Sequence, residues 1–233
     1  MNNYRLHIRI FIVTFILIAF AGTASAWYDE THIAVAKAAG YSKWYNAAGA
    51  DMIKIKARGI EQPNHYVNNP AGTIVTSAMV LEQVGKYNQP DNQGHLYGAI
   101  IATIRDYAQN KQKGKYGEYH LAFCAHYVGD LSQPFHNMIY NTFNKQYHKA
   151  SEAFINEKIL DNIDRIETYP IVIESEKDLA TEIARLANLS LKLGYQLEAE
   201  NRLLTKKEAY IQLGHSASLL KAILRYVQKY INP

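Results

Sequence analysis

One cysteine, Cys124, stands in a chain of 233 residues. A lone thiol excludes an intramolecular disulfide, which leaves core packing or metal to hold the fold. Cys124 lies in the apolar run Leu121-Ala-Phe-Cys-Ala125 and reads as a small core residue. Strand signals are scarce, no repeat or low-complexity tract occurs, and no linker divides the chain. A Gly-Xaa-Ser-Xaa-Gly elbow is also missing, so no side-chain nucleophile of that kind is expected. Charge of one sign is not in excess: Lys and Arg number 25 against 21 Asp and Glu, a formal net charge of +4. That is no basic footprint for nucleic acid, although a small nucleic-acid substrate held by metal stays open. The longest charge-free apolar run, residues 10–21, is short of the roughly 20 residues a bilayer span needs.

That run has its own logic. Arg5, His7 and Arg9 precede it, and Ala24-Ser25-Ala26 follows with small residues where signal peptidase requires them. The three-part pattern predicts a cleaved signal peptide over residues 1–26, a mature domain over residues 27–233, and an exported protein, periplasmic or secreted. Cleavage removes Arg5 and Arg9 and no acidic residue, so the mature net charge falls to +2.

The rest of the chain has helical periodicity throughout. Helices are predicted over 29–40, 42–57, 73–86, 95–112, 117–132, 145–167, 177–199 and 205–231. Residues 58–72, with Gly59, Pro63, Asn68, Asn69, Pro70 and Gly72, form an irregular loop. The expected fold is all-α, a single multi-helix domain.

Histidine carries the chemistry. His126 and Asp130 are four apart, a spacing that stacks both side chains on one helical face. His148 and Glu152 repeat the arrangement in another helix, and His136 lies between the pairs after a proline-containing turn. An imidazole and a carboxylate at this spacing form half of a tetrahedral zinc site. Casual surface pairs have the same spacing, but two pairs with a histidine between them point to metal. Asp51 and His65 are, by themselves, a helix carboxylate and a loop histidine. His32 follows Trp27 by five residues, and cleavage after Ala26 would give Trp27 a free α-amine able to chelate metal with its own carbonyl. His95, His120 and His215 have no such partners and read as structural or surface residues. Eighteen tyrosines are present; helical ones such as Tyr107 and Tyr226 read as core or rim.

In these pieces the chain resembles the zinc-dependent phospholipase C and single-strand-specific nuclease superfamily. The matching elements are Trp27 with His32, Asp51 with His65, His126-Tyr-Val-Gly-Asp130-Leu-Ser-Gln-Pro-Phe-His136, and His148-Lys-Ala-Ser-Glu152. The resemblance implies three zinc ions. One would be held by Asp51, His65, His126 and Asp130, and a second by His136, His148 and Glu152. The third would be held by the Trp27 amine and carbonyl, His32 and Asp130, so that Asp130 bridges two. It also implies hydrolysis of a phosphodiester, with Asp130 and Asp51 as the catalytic carboxylates. Asp51 would orient or deprotonate the attacking water. The substrate is a phospholipid, with transient contact to a membrane surface, or a single-stranded nucleic acid; no protein partner is implied. Glu152 leans to the phospholipase branch. The closeness of Trp27 to His32 and the segments Ala50–Lys54 and His65–Asn68 lean to the nuclease branch. The mature chain is short for both.

Overall fold

A computed structural model describes residues 28–231 apart from Arg58 and Glu157. The predicted signal peptide and Trp27 lie outside the described residues. Within them the protein is a single all-helical domain without strands. Eight α-helices follow one another: α1 Asp29–Ala38, α2 Gly49–Ala57, α3 Ser77–Gln83, α4 Leu96–Asn110, α5 Lys115–Ser132, α6 Thr142–Asn156, α7 Glu176–Ala199 and α8 Lys206–Tyr226. None is long and apolar enough to cross a membrane.

Helix α5 is the axis of the fold. It packs against α1, α2, α4, α7 and α8, so its C-terminal half has no solvent face. Ala125, His126, Tyr127, Val128, Gly129, Asp130, Leu131 and Ser132 are all buried. A helix enclosed on all sides should be apolar all round. The polar residues His126 and Asp130 inside it are therefore costly unless something compensates them. Helices α7 and α8 close the opposite side of the core with Leu179, Ile183, Leu186, Leu213 and Leu220. Each opens on a hydroxyl cap: Ser175 accepts from the Asp178 amide, and Thr205 forms a capping box with Glu208. Helix α7 also lies against the turn Pro134–His136. At the contact stands Gly194, where a Cβ would come within 3.1 Å of Met138 Sδ and the Pro134 carbonyl.

Two predicted helices are broken. The expected helix over 42–57 divides into a short 3-10 turn, Trp44–Asn46, and α2. The break leaves the Ala47 carbonyl to accept from His126 Nδ1 at 2.8 Å, a tertiary bond that overrides the helix preference of alanine. The helix expected over 145–167 begins earlier and stops at Asn156. Lys158 then takes a left-handed φ of 63°, and a separate 3-10 segment covers Leu160–Arg165. Helices α3 and α4 end in 3-10 turns, and α8 passes into a π turn at Val227–Ile231.

Candidate metal centre

Eight of the nine expected ligand residues lie together in the interior; Trp27 is the one outside the described residues. His32 comes from α1, Asp51 from α2, His126 and Asp130 from α5, and His148 and Glu152 from α6. His65 and His136 come from the 3-10 turns Gln62–His65 and Pro134–His136. The spacing argument holds for both helical pairs. His126 Nε2 is 3.3 Å from Asp130 Oδ2, and His148 Nε2 is 2.8 Å from Glu152 Oε1.

Asp130 is at the centre and is fully buried. Its Oδ2 faces His65 Nδ1 at 2.8 Å and His126 Nε2 at 3.3 Å. Its Oδ1 faces His32 Nε2 and His136 Nδ1, both at 3.4 Å. One oxygen thus addresses His65 and His126 and the other addresses His32, while His136 Nδ1 has the His65 carbonyl as its nearer partner. Asp51 Oδ1 closes one side, 3.6 Å from His126 Nε2 and 3.9 Å from His65 Nδ1, with the Lys54 ammonium against it.

Donor atoms gather into three groups: His32, Asp51 and His126; His65, His126 and Asp130; and His136, His148 and Glu152. The last group is as expected. In the other two His126 is shared, and His32 sits with Asp51 as well as facing Asp130. His32 and His126 stack face to face with ring centroids 3.7 Å apart. Gly129 makes room for this, since a Cβ there would stand 2.5 Å from His32 Nδ1.

The imidazoles are aimed by their outer nitrogens. His126 Nδ1 donates to the Ala47 carbonyl, and His136 Nδ1 donates to the His65 carbonyl at 2.6 Å. His148 Nδ1 donates to Asn144 Oδ1 at 3.1 Å, and His65 Nε2 donates to Glu61 Oε2 at 2.7 Å. In the neutral ring, each of these donations leaves the other nitrogen a lone pair for a cation. His65 Nδ1 and His126 Nε2 are 3.2 Å apart; with both outer protons committed, such a pair converges on a cation. The two turns are also zipped together. The Val67 amide donates to the His136 carbonyl at 2.8 Å, and Asn69 donates to Tyr97 and to the Asn137 carbonyl.

Charge and hydrogen bonding show what the cluster lacks from the polypeptide. Both ring nitrogens of His32 and both carboxylate oxygens of Glu152 are buried without a hydrogen-bond partner among the described residues. His148 Nε2 and Glu152 Oε1 approach closely but out of line for a hydrogen bond. Burial opposes a charge on His126, yet Asp130 and Asp51 overcome it and raise its pKa to about 9. Burial and then the neighbouring His126 push His32 down to about 3. Asp51 falls to about 2, because His126 and Lys54 outweigh the opposing effect of burial. Asp130 is held well below the carboxylate range, where His126 and His136 outweigh burial. A buried site that keeps carboxylates ionised and turns imidazole lone pairs inward suits divalent cations. These buried His/Asp/Glu clusters can hold metal ions.

Beside them a cleft of about 200 Å³ is lined by Lys54, Tyr66, Phe135, Tyr140, His136 and His148 among others. His95, His120 and His215 are not part of any donor group. His95 bonds Asn64 at 2.8 Å and His215 bonds Tyr169 at 2.5 Å. Tyr107 is core, as expected. Compared with known proteins, the chain matches no protein-family model and no curated sequence.

Proposed function

We propose that this protein is an exported zinc-dependent hydrolase of phosphodiesters, of the phospholipase C type, acting on the head group of a phospholipid. The observation that carries the reading is Asp130, one buried carboxylate whose Oδ2 faces His65 and His126 and whose Oδ1 faces His32. In this reading Asp51, His65, His126 and Asp130 hold one zinc, and His136, His148 and Glu152 hold another. His32 and Asp130, with the Trp27 amine and carbonyl, hold a third. Bound zinc would supply a water acidified to near neutral pH and neutralise charge on the phosphoryl oxygens.

The chain's own residues set the rest. Asp130 keeps the donor sets in register and stays ionised. Asp51, also ionised, orients water through its oxygens, and its low pKa makes it a weak proton acceptor. Lys54 contacts Asp51 and lines the cleft, bringing one positive charge to the wall where an anionic diester enters. Tyr66, Phe135 and Tyr140 give that wall aromatic surface. The Asn68 amide beside them is occupied on both sides, donating to the Asn92 carbonyl and accepting from the Tyr140 amide. A cleft of about 200 Å³ with one lysine at its wall is suited to a compact anionic head group. The same rings favour a second reading, a nuclease or nucleotidase that stacks a single-stranded base.

The test is to assay the zinc-loaded protein on phosphatidylcholine vesicles and on single-stranded DNA, each with and without chelator. Chelator-sensitive release of phosphocholine is expected. Cleavage of DNA alone would establish the second reading, and inactivity on both would sink the two together.

A further inference from the structure

Glu61 is buried, 5% exposed, and no donor group among the described residues includes it. Its carboxylate stands on the far side of the His65 ring from Asp130. Oε2 accepts from His65 Nε2 at 2.7 Å, while His65 Nδ1 faces Asp130 Oδ2 at 2.8 Å. Oε1 accepts from the Tyr127 hydroxyl at 2.6 Å. Both oxygens are thus committed to protein partners, unlike those of Glu152. Tyr127 is fully buried on α5 and is itself held by Asn64, whose Nδ2 donates to its hydroxyl at 3.3 Å. Asn64 is fixed in turn by His95 Nε2 at 2.8 Å and by the Asn88 amide at 3.2 Å. The network joins α5, the start of α4, the turn at Asn88 and the turn that carries His65.

Burying a carboxylate is expensive, and His65 did not need one to be aimed. His126 and His136 are aimed by backbone carbonyls and His148 by an amide oxygen. Among the described ligand histidines, His65 alone has an anionic acceptor on its outer nitrogen. Such an acceptor fixes the tautomer and makes the inner nitrogen a stronger donor to metal.

We infer that Glu61, braced by Tyr127, is the positioning residue that fixes His65 with its Nδ1 lone pair turned to the metal centre. The inference rests on the metal reading above. It gives an outer partner to a ligand imidazole carried on a short 3-10 turn, Gln62–His65.

The test measures zinc affinity by competition with a chromophoric chelator for wild type, Glu61→Gln, Glu61→Ala and Tyr127→Phe, with folding checked by circular dichroism. A neutral Gln still accepts from His65 Nε2, so partial rescue is expected. Affinity at one site should fall about 10–100-fold in Glu61→Ala, the range for lost support of a ligand. The fall should be smaller in Glu61→Gln and in Tyr127→Phe. Nitrogen NMR of His65 in the zinc-loaded protein should show Nδ1 coordinated and Nε2 protonated in wild type, with mixed states in Glu61→Ala. If Glu61→Ala does not fold, Glu61→Gln and Tyr127→Phe decide. Wild-type affinity in both overturns the inference while leaving the metal reading standing. A wild-type protein that binds no zinc in the same titration overturns both.

Discussion

Leu179, Ile183, Leu186 and Leu191 fill the inward face of α7, and Leu213, Leu219, Leu220 and Ile223 fill that of α8. Around α5 the equivalent interior positions hold His32, Asp51, His65, His126, Asp130, His136 and Glu152. On α7 and α8 the buried side-chain atoms without a partner among the described residues are Ser190 Oγ and Gln212 Oε1, both neutral; in the centre they include ring nitrogens and carboxylate oxygens. The helix pair is stabilised by apolar burial and local capping, each within the reach of its own sequence. The centre gathers imidazoles and carboxylates that attract one another in part, with several of their atoms unsatisfied among the described residues. Under the proposed metal reading one domain has two sources of stability, and they can be perturbed separately.

The sharpest way to break the comparison is at Asp130. Asp130→Asn keeps the shape but loses the charge that faces His65 and His126 on one side and His32 on the other, whereas Glu152→Gln touches one donor group. Asp130→Asn is expected to lose more zinc per chain. Its turnover should fall by more than the roughly 10–100-fold typical of residues that only support a ligand. Metal analysis and phosphodiesterase rates on the two variants check this; equal losses would remove the bridging role.

Chelation should come next. At free metal about a thousand times Kd, one bound ion adds roughly 4 kcal/mol. For a chain of this size that moves Tm by about 8–16 °C per ion. Hydrogen exchange after chelation should open α2 and the turn at His65 well before α7 and α8. Uniform opening would mean that the two regions are not separate.

Within the helix pair, Ile183→Ala removes a fully buried side chain and should cost about 2–5 kcal/mol in urea denaturation. Zinc stoichiometry should stay at the wild-type value.

The smallest effect is a pH dependence outside the centre. The Arg202 guanidinium, against burial and with help from the Thr205 amide, holds Glu208 down at about 2. A depressed carboxylate stabilises the fold above its unfolded pKa, here 4.5, and loses that contribution as pH falls toward about 2. The stability difference between wild type and Glu208→Gln should be present at pH 6 to 7 and shrink through that acid window, whatever the metal content.

His126 with Asp130 and His148 with Glu152 were legible because a helix converts a spacing of four into proximity. His32, Asp51 and His65 gave no signal through spacing; only the resemblance grouped them, and the structure brings them together. Glu61 was missed because it precedes His65 in a segment read as irregular loop, where a 3-10 turn has no periodic signature. The Ala47 and His65 carbonyls were beyond reach, since a backbone acceptor leaves no mark in side-chain identity. The break after Asn46 was missed for the same reason, as the bond that holds it comes from residue 126.

The close contact at Gly194 has a consequence for the order in which the protein is made. Every described donor, from His32 to Glu152, leaves the ribosome before α7 begins at Glu176. The surface that presses the His136 turn into place through Gly194, and the Ser216 hydroxyl that grips the Val128 carbonyl at 2.6 Å, are synthesised last. The last two helices, from which no donor group among the described residues draws a ligand, pack on the helix and turn that carry the donors and limit how far those can move.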